Sequence, residues 1–311
     1  MAAPRIALVT AAAARALDED LAPLESALRE AGAQVATPNW DDAGIDWSQF
    51  DLALLRSPWD YMHRLPEFLA WAERAAQATT LLNPLDVIAW NTDKHYLRDL
   101  ENAGVAIVPS VFVEPGEDAR LALARFLDDG HHPPSAPSPA CGVREKFQEF
   151  VVKPAIGAGS RDAQRYGREE ADAACAHVRR LLDAKRSVLL QPYLDRVDAH
   201  GETALIFFDG KFSHAIRKGP LLRRGEGPTR ALFAAEHITP REPDTAELAL
   251  AERTLAAIPH APLSYARIDL IHAADGTPRL LELELTEPSL FFVHAAGSAA
   301  RFAQALLRRL A

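Results

Sequence analysis

YARIDLIHAADGTPRLLELELTEP, residues 265–288, is the stretch that decides how this chain folds. Its two runs alternate polar and apolar residues with a period of two, the pattern of strands with one face against a core. Asp275-Gly276 between them predicts a hairpin turn. Arg267 and Asp269 share one side of the first run, and Glu282 and Glu284 share one side of the second. Pairing of the two strands would set Asp269 opposite the glutamates. Three carboxylates on one sheet face repel one another unless a positive charge sits among them. Magnesium suits that place, because it takes carboxylate oxygens and is commonly shared with substrate phosphates. Arg267, on the same face, suits a phosphate or a substrate carboxylate. The same alternation also fits a solvated strand face, so the hairpin alone leaves both open.

Upstream, FVVKPAIGAGSRD (150–162) ends an apolar strand at Lys153 and enters a loop through Gly157, Gly159 and Ser160. A lysine beside a glycine-rich loop suits phosphate, since a point charge and free backbone N–H groups can converge on it. No GK[ST] follows, so this is not a P-loop, and a flexible strand exit would look the same. SVLLQPYLD (187–195) turns at Gln191 and Pro192, which could offer the backbone of Tyr193 and Leu194 to an adenine edge. Asp198 and Glu202 are candidates for a ribose or plain surface acids. Lys94 in WNTDKHYL (90–97) and Lys218 at the end of GETALIFFDGKFSHAIRKG (201–219) are further phosphate candidates or solvated lysines.

The first third alternates strand and helix: RIALVT (5–10), LAPLESALREAG (21–32), AQVATPNW (33–40), DLALLRSPWDY (51–61), FLAWAERAAQA (68–78) and TTLLN (79–83). That order predicts a small parallel α/β sheet. Ligand sites in such sheets lie beyond the carboxyl ends of strands. Arg56, Ser57, Asp60 and Tyr61 follow one such strand, so Arg56 is a candidate for a substrate carboxylate and Asp60 for an amine. A capped turn with Trp59 in the core is the alternative. Ser289, after Pro288, is a candidate for the same substrate. Residues 83–100 read as a loop and helix start, 105–113 as a strand, and 155–167 as a loop. Residues 128–142, rich in Pro, Ser and Gly, read as an irregular loop. Helices are expected at 169–184, 246–258 and 298–310, and a second hairpin turns at Asp209-Gly210. The expected division is residues 1–90, 91–190 and 191–311: an α/β chain, α+β in its C-terminal part.

The 311 residues carry a formal net charge of −9, which gives no general attraction to nucleic acid or an anionic membrane. Cys141 and Cys175 form no zinc-type pattern and suit a reduced, cytoplasmic setting. The opening residues read as a strand and not as a signal peptide.

The order of these features is lysine, strand-Lys-Pro with a glycine loop, Gln-Pro, Gly-Glu, Arg-x-Asp and Glu-x-Glu. In that order the chain resembles the ATP-grasp superfamily over about residues 85–300. The resemblance implies ATP held between two lobes and Mg2+ as the metal. Lys94 and Lys153 would bind phosphates, Gly157–Ser160 would close over them, and Gln191–Leu194 would meet adenine. Asp198 or Glu202 would approach the ribose. Asp269, Glu282 and Glu284 would hold the metal, and Arg267 would be catalytic, holding a phosphate oxygen or the tetrahedral oxyanion. The family's usual Glu-x-Asn is Glu-x-Glu here. LRSPWDY (55–61), LLNPLDVIAWNTDKHYL (81–97) and LELELTEPSLFF (281–292) are similar to a glutathione-synthetase-like subgroup. That subgroup includes the ligase that closes O-ureido-D-serine to the antibiotic D-cycloserine. The implied activity is activation of a carboxylate as an acylphosphate for attack by an amine, on a small amino-acid-like substrate, with a homodimer allowed. An intermolecular peptide-forming ligase and a non-catalytic ATP-binding regulator are the alternatives.

Overall fold

A computed structural model describes residues 2–129, 147–225, 227, 237–260 and 262–310. Most of the expected loop, 130–142, lies outside the described residues.

The chain opens with β1 (Arg5–Thr10), α1 (Leu21–Glu30), β2 (Gln34–Ala36), β3 (Leu52–Ser57), α2 (Leu65–Ala78) and β4 (Thr80–Leu82). The strands form the expected parallel sheet in the order β2-β1-β3-β4. Leu21, Leu24 and Leu28 make the buried stripe of α1. The helix stops where Gly32 takes φ +93°, which lets Gly32 N–H reach Arg29 O and Ala33 N–H reach Leu28 O. All six residues of β3 are buried, which draws Arg56 and Ser57 inside. Trp40, Trp47, Trp59 and Trp71 belong with Phe68 to one buried cluster on this sheet, so core packing explains four of the five tryptophans.

Residues 83–100, expected as a loop and helix start, are more helical than that. They form α3 (Leu85–Asn91) and most of α4 (Tyr96–Asn102). The expected strand at 105–113 shrinks to β5 (Val111–Val113), because Pro109 has no N–H to give a ladder. Next come α5 (Ala119–Asp129), β6 (Glu149–Pro154), β7 (Gln164–Gly167), α6 (Ala171–Asp183) and β8 (Val188–Pro192). β7 lies within the stretch expected to be loop. These strands make an antiparallel sheet, β5-β8-β6-β7. The remainder is α7 (Arg196–His200), β9 (Glu202–Phe208), β10 (Lys211–Lys218), β11 (Ile238–Arg241), α8 (Thr245–Ala257), β12 (Tyr265–His272), β13 (Pro278–Glu284) and α9 (Ser298–Arg308). Its five strands pair antiparallel as β11-β10-β9-β12-β13. Asp209 and Gly210 both take positive φ, +49° and +72°, as a tight hairpin turn requires.

The cores do not follow the expected divisions. Ile6 and Leu8 of β1 and Leu24 and Leu28 of α1 share one apolar cluster with Ile206, Phe208, Tyr265 and Phe302. Helix α9 thereby returns to pack on α1. Val87, Tyr96, Leu97 and Leu100 pack with Leu205, Ile268 and Leu283 of the five-stranded sheet.

Strand β13 is the edge of that sheet, and side chains occupy the hydrogen-bonding groups an edge leaves open. Asn91 donates to Leu283 O (2.8 Å) and accepts from Leu285 N–H (2.7 Å). Tyr96 Oη accepts from Leu283 N–H (2.9 Å). Asn83 donates to Tyr265 O and Leu285 O and accepts from Ser264 N–H. Farther along, Leu280 exchanges backbone bonds with Ala106 and Val108. The stretch 81–97 is therefore a clamp that fixes the strand carrying Glu282 and Glu284.

Candidate active site

The register of the deciding hairpin sets Asp269 directly opposite Glu282 and Arg267 directly opposite Glu284. Both pairs face a cavity between the two antiparallel sheets. Lys153 at the end of β6 and the loop from Gly157 to Ser160 form the opposing wall, and Gln191–Leu194 close one side.

Charges on these walls are arranged in pairs. Lys94 Nζ lies 3.0 Å from Glu282 Oε1 and donates to Gly157 O at 2.9 Å, tying the helical segment to the glycine loop. Lys218 Nζ donates to Asp269 Oδ2 at 2.8 Å and also pairs with Glu202. Arg267 donates from Nε and Nη2 to Asp269, at 3.0 and 2.9 Å, and from Nη2 to Glu284. Lys153 has no ion-pair partner among the described residues. Burial and then the nearby cations and acids set the protonation. Burial pulls Lys94 down, but Glu282, backed by Glu284 and Glu287, holds it above its ordinary value. Burial lowers Lys153, and the charge of Lys94 adds to that. Burial would raise Asp269, but Arg267 and Lys218 hold it well below the usual carboxylate range. Burial pushes Glu284 up, with Asp269 and Glu282 adding to the rise and Arg267 opposing it.

The acids are hard oxygen donors on one wall, which fits magnesium. Each is already bonded to a cation, however. Among the described residues no three acidic, histidine or cysteine side chains converge as a ready-made metal cage. Such a wall fits an ion bound through one or two carboxylates with phosphate oxygens completing its shell.

Of the residues singled out from the sequence, the cavity brings together Lys94, Lys153, Gly157, Gly159, Ser160, Gln191, Pro192, Tyr193, Leu194, Glu202, Lys218, Arg267, Asp269, Glu282, Glu284, Tyr61 and Ser289. Gly201 makes the approach of Glu202 to Lys218 feasible: its φ is +72°, and a Cβ there would meet Lys218 O at 2.4 Å. Four candidates stand elsewhere. Arg56 is fully buried behind the cavity, 3.4 Å from Asp18 and 3.5 Å from Asp20, with Nη1 donating to Pro288 O. Ser57 is buried beside it on β3. Asp60 accepts from Trp40 Nε1 at 2.8 Å and pairs with Arg64. Asp198 is held by Arg165 and the Tyr193 hydroxyl, outside the cavity lining. Ion pairs occupy Arg56, Asp60 and Asp198, and Ser57 Oγ is buried without a hydrogen-bond partner among the described residues. Trp59, set down as possible core, lines the cavity, and its Nε1 donates to Glu287 O at 3.0 Å. Glu287 itself went unnoticed. It stands after the strand ends, in LTEP, where alternation no longer marks a face.

The chain is 42% identical over 310 residues to the cycloserine biosynthesis protein DcsG of Streptomyces lavendulae, with 98% of each chain covered. The model of the D-cycloserine synthetase DcsG N-terminal domain matches residues 6–83. The chain belongs to the DcsG family of ATP-grasp ligases. The crystal structure of D-cycloserine synthetase DcsG superposes with a TM-score of 0.87 at 41% identity, covering 99% of this chain and 100% of that one. D-alanine–D-alanine ligase from Bacillus anthracis, at 13% identity, superposes with a TM-score of 0.62 over 99% of this chain and 97% of that one, which shows the shared fold. So does the ATP-grasp ligase PsnB complexed with minimal precursor, Mg and ADP, at 18% identity, a TM-score of 0.62 and 98% of each chain. The ATP-grasp fold and the ATP-dependent ligase class expected from the sequence are those of this DcsG family. No helix among the described residues is long and apolar enough to cross a membrane.

Proposed function

We propose that this DcsG-family ligase converts O-ureido-D-serine to D-cycloserine with ATP and Mg2+, releasing ADP and phosphate. The observation that carries it is the cavity wall of Lys94, Lys153, Lys218 and Arg267 facing Asp269, Glu282 and Glu284, with Lys153 in no ion pair within 4.0 Å among the described residues. A cation without a partner at a cavity wall is matched by phosphate. The 42% identical relative supports the particular substrate.

In this reading Lys153 and Lys94 hold the ATP phosphates, and the Gly157–Ser160 loop covers them. Gly159 and Ser160 already take positive φ, +64° and +58°, which turns this loop sharply. The backbone near Gln191–Leu194 meets adenine, while the Gln191 amide stays tied to Ser110 Oγ at 2.8 Å. Glu202 is the ribose-side acid that remains at the cavity. One or two of Asp269, Glu282 and Glu284 would hold magnesium, with phosphate oxygens completing its shell. Magnesium, when bound, offsets negative charge on the transferring phosphoryl group.

The substrate carboxylate attacks the γ-phosphorus, and Arg267 stabilises the charge that develops. The nitrogen of the ureidooxy group then closes on the acyl carbon and phosphate leaves. D-cycloserine lacks the carbamoyl group that O-ureido-D-serine carries on that nitrogen, so water cleaves the N–C bond during or after ring closure and the group leaves as carbon dioxide and ammonia. No protein nucleophile is needed. Enclosure of the acylphosphate keeps water from intercepting it.

The test is ADP release with ATP and Mg2+ across a panel of amino acids, with product analysis. ADP and a cyclic product from O-ureido-D-serine alone is the expected result. ADP with another amino acid and an added amine would replace the substrate. Nucleotide binding without turnover on any substrate would leave the regulatory alternative.

A further inference from the structure

The connection after β13 carries a carboxylate that the reaction above does not use. Glu287 lines the cavity beside Trp59, Tyr61, Ser289 and Phe291. The Tyr61 hydroxyl hydrogen-bonds its carboxyl group. Glu202, Asp269, Glu282 and Glu284, the other acids of the cavity, are each ion-paired to a lysine or arginine. Glu287 has no such partner among the described residues.

Its place is fixed by the fold. Trp59 Nε1 donates to Glu287 O at 3.0 Å, and Arg56 Nη1 donates to Pro288 O at 3.2 Å. The carboxylate of Asp20 then takes the N–H groups of Leu290, Phe291 and Phe292 at 2.6, 3.1 and 2.8 Å. Asp20 and Arg56 are buried, so five hydrogen bonds from the N-terminal sheet region hold residues 287–292. A half-buried carboxylate without a counter-charge is costly. Burial pushes Glu287 up to about 7, against the pull of Tyr61 and Lys94. A small cationic ligand would relieve that cost. The aromatic rings of Trp59 and Tyr61 border the same space and favour an ammonium there.

We propose that Glu287, flanked by Tyr61 and Trp59, is the subsite for the α-ammonium group of the amino-acid substrate, directing its carboxylate toward Arg267. This rests on the ligase reading of the same cavity. The ammonium and carboxylate of an α-amino acid are attached to one carbon, so a fixed anion at Glu287 sets which carboxylate is presented for phosphorylation. A 3-(ureidooxy)propanoate, which lacks the amine, would lose this contact and keep the rest.

The experiment is steady-state ADP release by the full chain with ATP and Mg2+, comparing O-ureido-D-serine with 3-(ureidooxy)propanoate. The wild type is expected to favour the amino compound in kcat/KM by about 10- to 100-fold, the range of a hydrogen bond to a charged group. Glu287→Gln should erase that preference, chiefly through a higher KM for the amino compound. Its kcat/KM on the deamino compound should fall far less than that on the amino compound, and Glu287→Asp should restore part of the preference. An equal fall in kcat on both compounds would mean that Glu287 moves a proton in the reaction, and would overturn the proposal. A raised Mg2+ requirement in Glu287→Gln would make it a metal ligand, with the same consequence. Absence of ADP from the wild type with either compound would overturn the ring-closing reading, and with it the proposal that stands on it.

Discussion

Lys153 faces the cavity from the end of β6 and makes no ion pair within 4.0 Å among the described residues, Glu282 acting on it only from farther away. Its charge is therefore available to a ligand and adds little to the apo fold. Lys153→Ala is expected to weaken ATP binding by about 10- to 100-fold, the worth of a lost charge-assisted contact, with the melting temperature of the free protein nearly unchanged. Calorimetric titration with a non-hydrolysable ATP analogue checks it, and unaltered affinity would remove Lys153 from the phosphate site. His177 is the opposite case, a group with a structural role. It is buried, its Nδ1 lies 3.0 Å from the Tyr166 hydroxyl, and its Nε2 has no hydrogen-bond partner among the described residues. Burial, with the charge of Arg180, lowers its pKa to about 4, so the folded chain keeps it neutral. In the unfolded chain it titrates near 6.5. Stability from this group is complete above about pH 6.5 and is lost as pH falls towards 4, because only the unfolded chain then takes the proton. At pH 5 the loss is about 2 kcal/mol relative to pH 7.5. His177→Gln should flatten the pH dependence of unfolding by that amount, and parallel curves for the two proteins would show that His177 does not stay neutral.

The 287–292 connection is an element without regular structure whose shape comes from another element. Asp20, just before α1, accepts three consecutive N–H groups from it, and Phe291 there takes φ +54°. Arg56 on β3 needs both Asp18 and Asp20 for its charge. Asp20→Ala leaves a buried guanidinium short of one partner and three N–H groups without an acceptor. The expected loss of stability is about 3–5 kcal/mol, as for other broken buried pairs. In the surviving folded protein, KM for the amino-acid substrate should rise while KM for ATP holds, since the nucleotide-facing residues lie on other elements. Denaturant titration and two-substrate kinetics measure both. A stability loss with unchanged substrate KM would mean that the connection keeps its shape without Asp20.

The nucleotide cavity is built from two antiparallel sheets that belong to different parts of the chain, so a ligand in it joins them. A non-hydrolysable ATP analogue with Mg2+ at 100 times its Kd should stabilise the fold by about 2.7 kcal/mol. For a chain of this length that raises the melting temperature by about 4 °C. Thermal unfolding with and without Mg2+ tests the metal as well. A shift that is the same without Mg2+ would argue against Asp269, Glu282 and Glu284 as its ligands.

Local pattern determined a large part of this molecule. Alternation and two Asp-Gly turns specified both hairpins, apolar spacing specified most of the helices, and the deciding hairpin put Arg267, Asp269, Glu282 and Glu284 on one face. These features depend on the period of a strand or helix and on the φ a turn demands, which neighbouring residues fix. Tertiary structure decided what contacts over long sequence separations decide. The run 105–113 lost most of its strand to Pro109 and to pairing with Leu280, and 83–100 became helices whose Asn91 and Tyr96 complete an edge strand. Arg56 and Asp60 looked like ligand-binding groups until Asp18, Asp20, Trp40 and Arg64 came within reach. Glu287 drew no assignment from the sequence, and its place beside Trp59 and Tyr61 comes from the tertiary structure alone. A side chain's identity gives the charge and hydrogen bonds it can offer. Whether they remain free for a ligand depends on partners that stand 20 positions away for Trp40 and Asp60, 38 for Arg56 and Asp18 and 270 for Leu290 and Asp20, which no local pattern records.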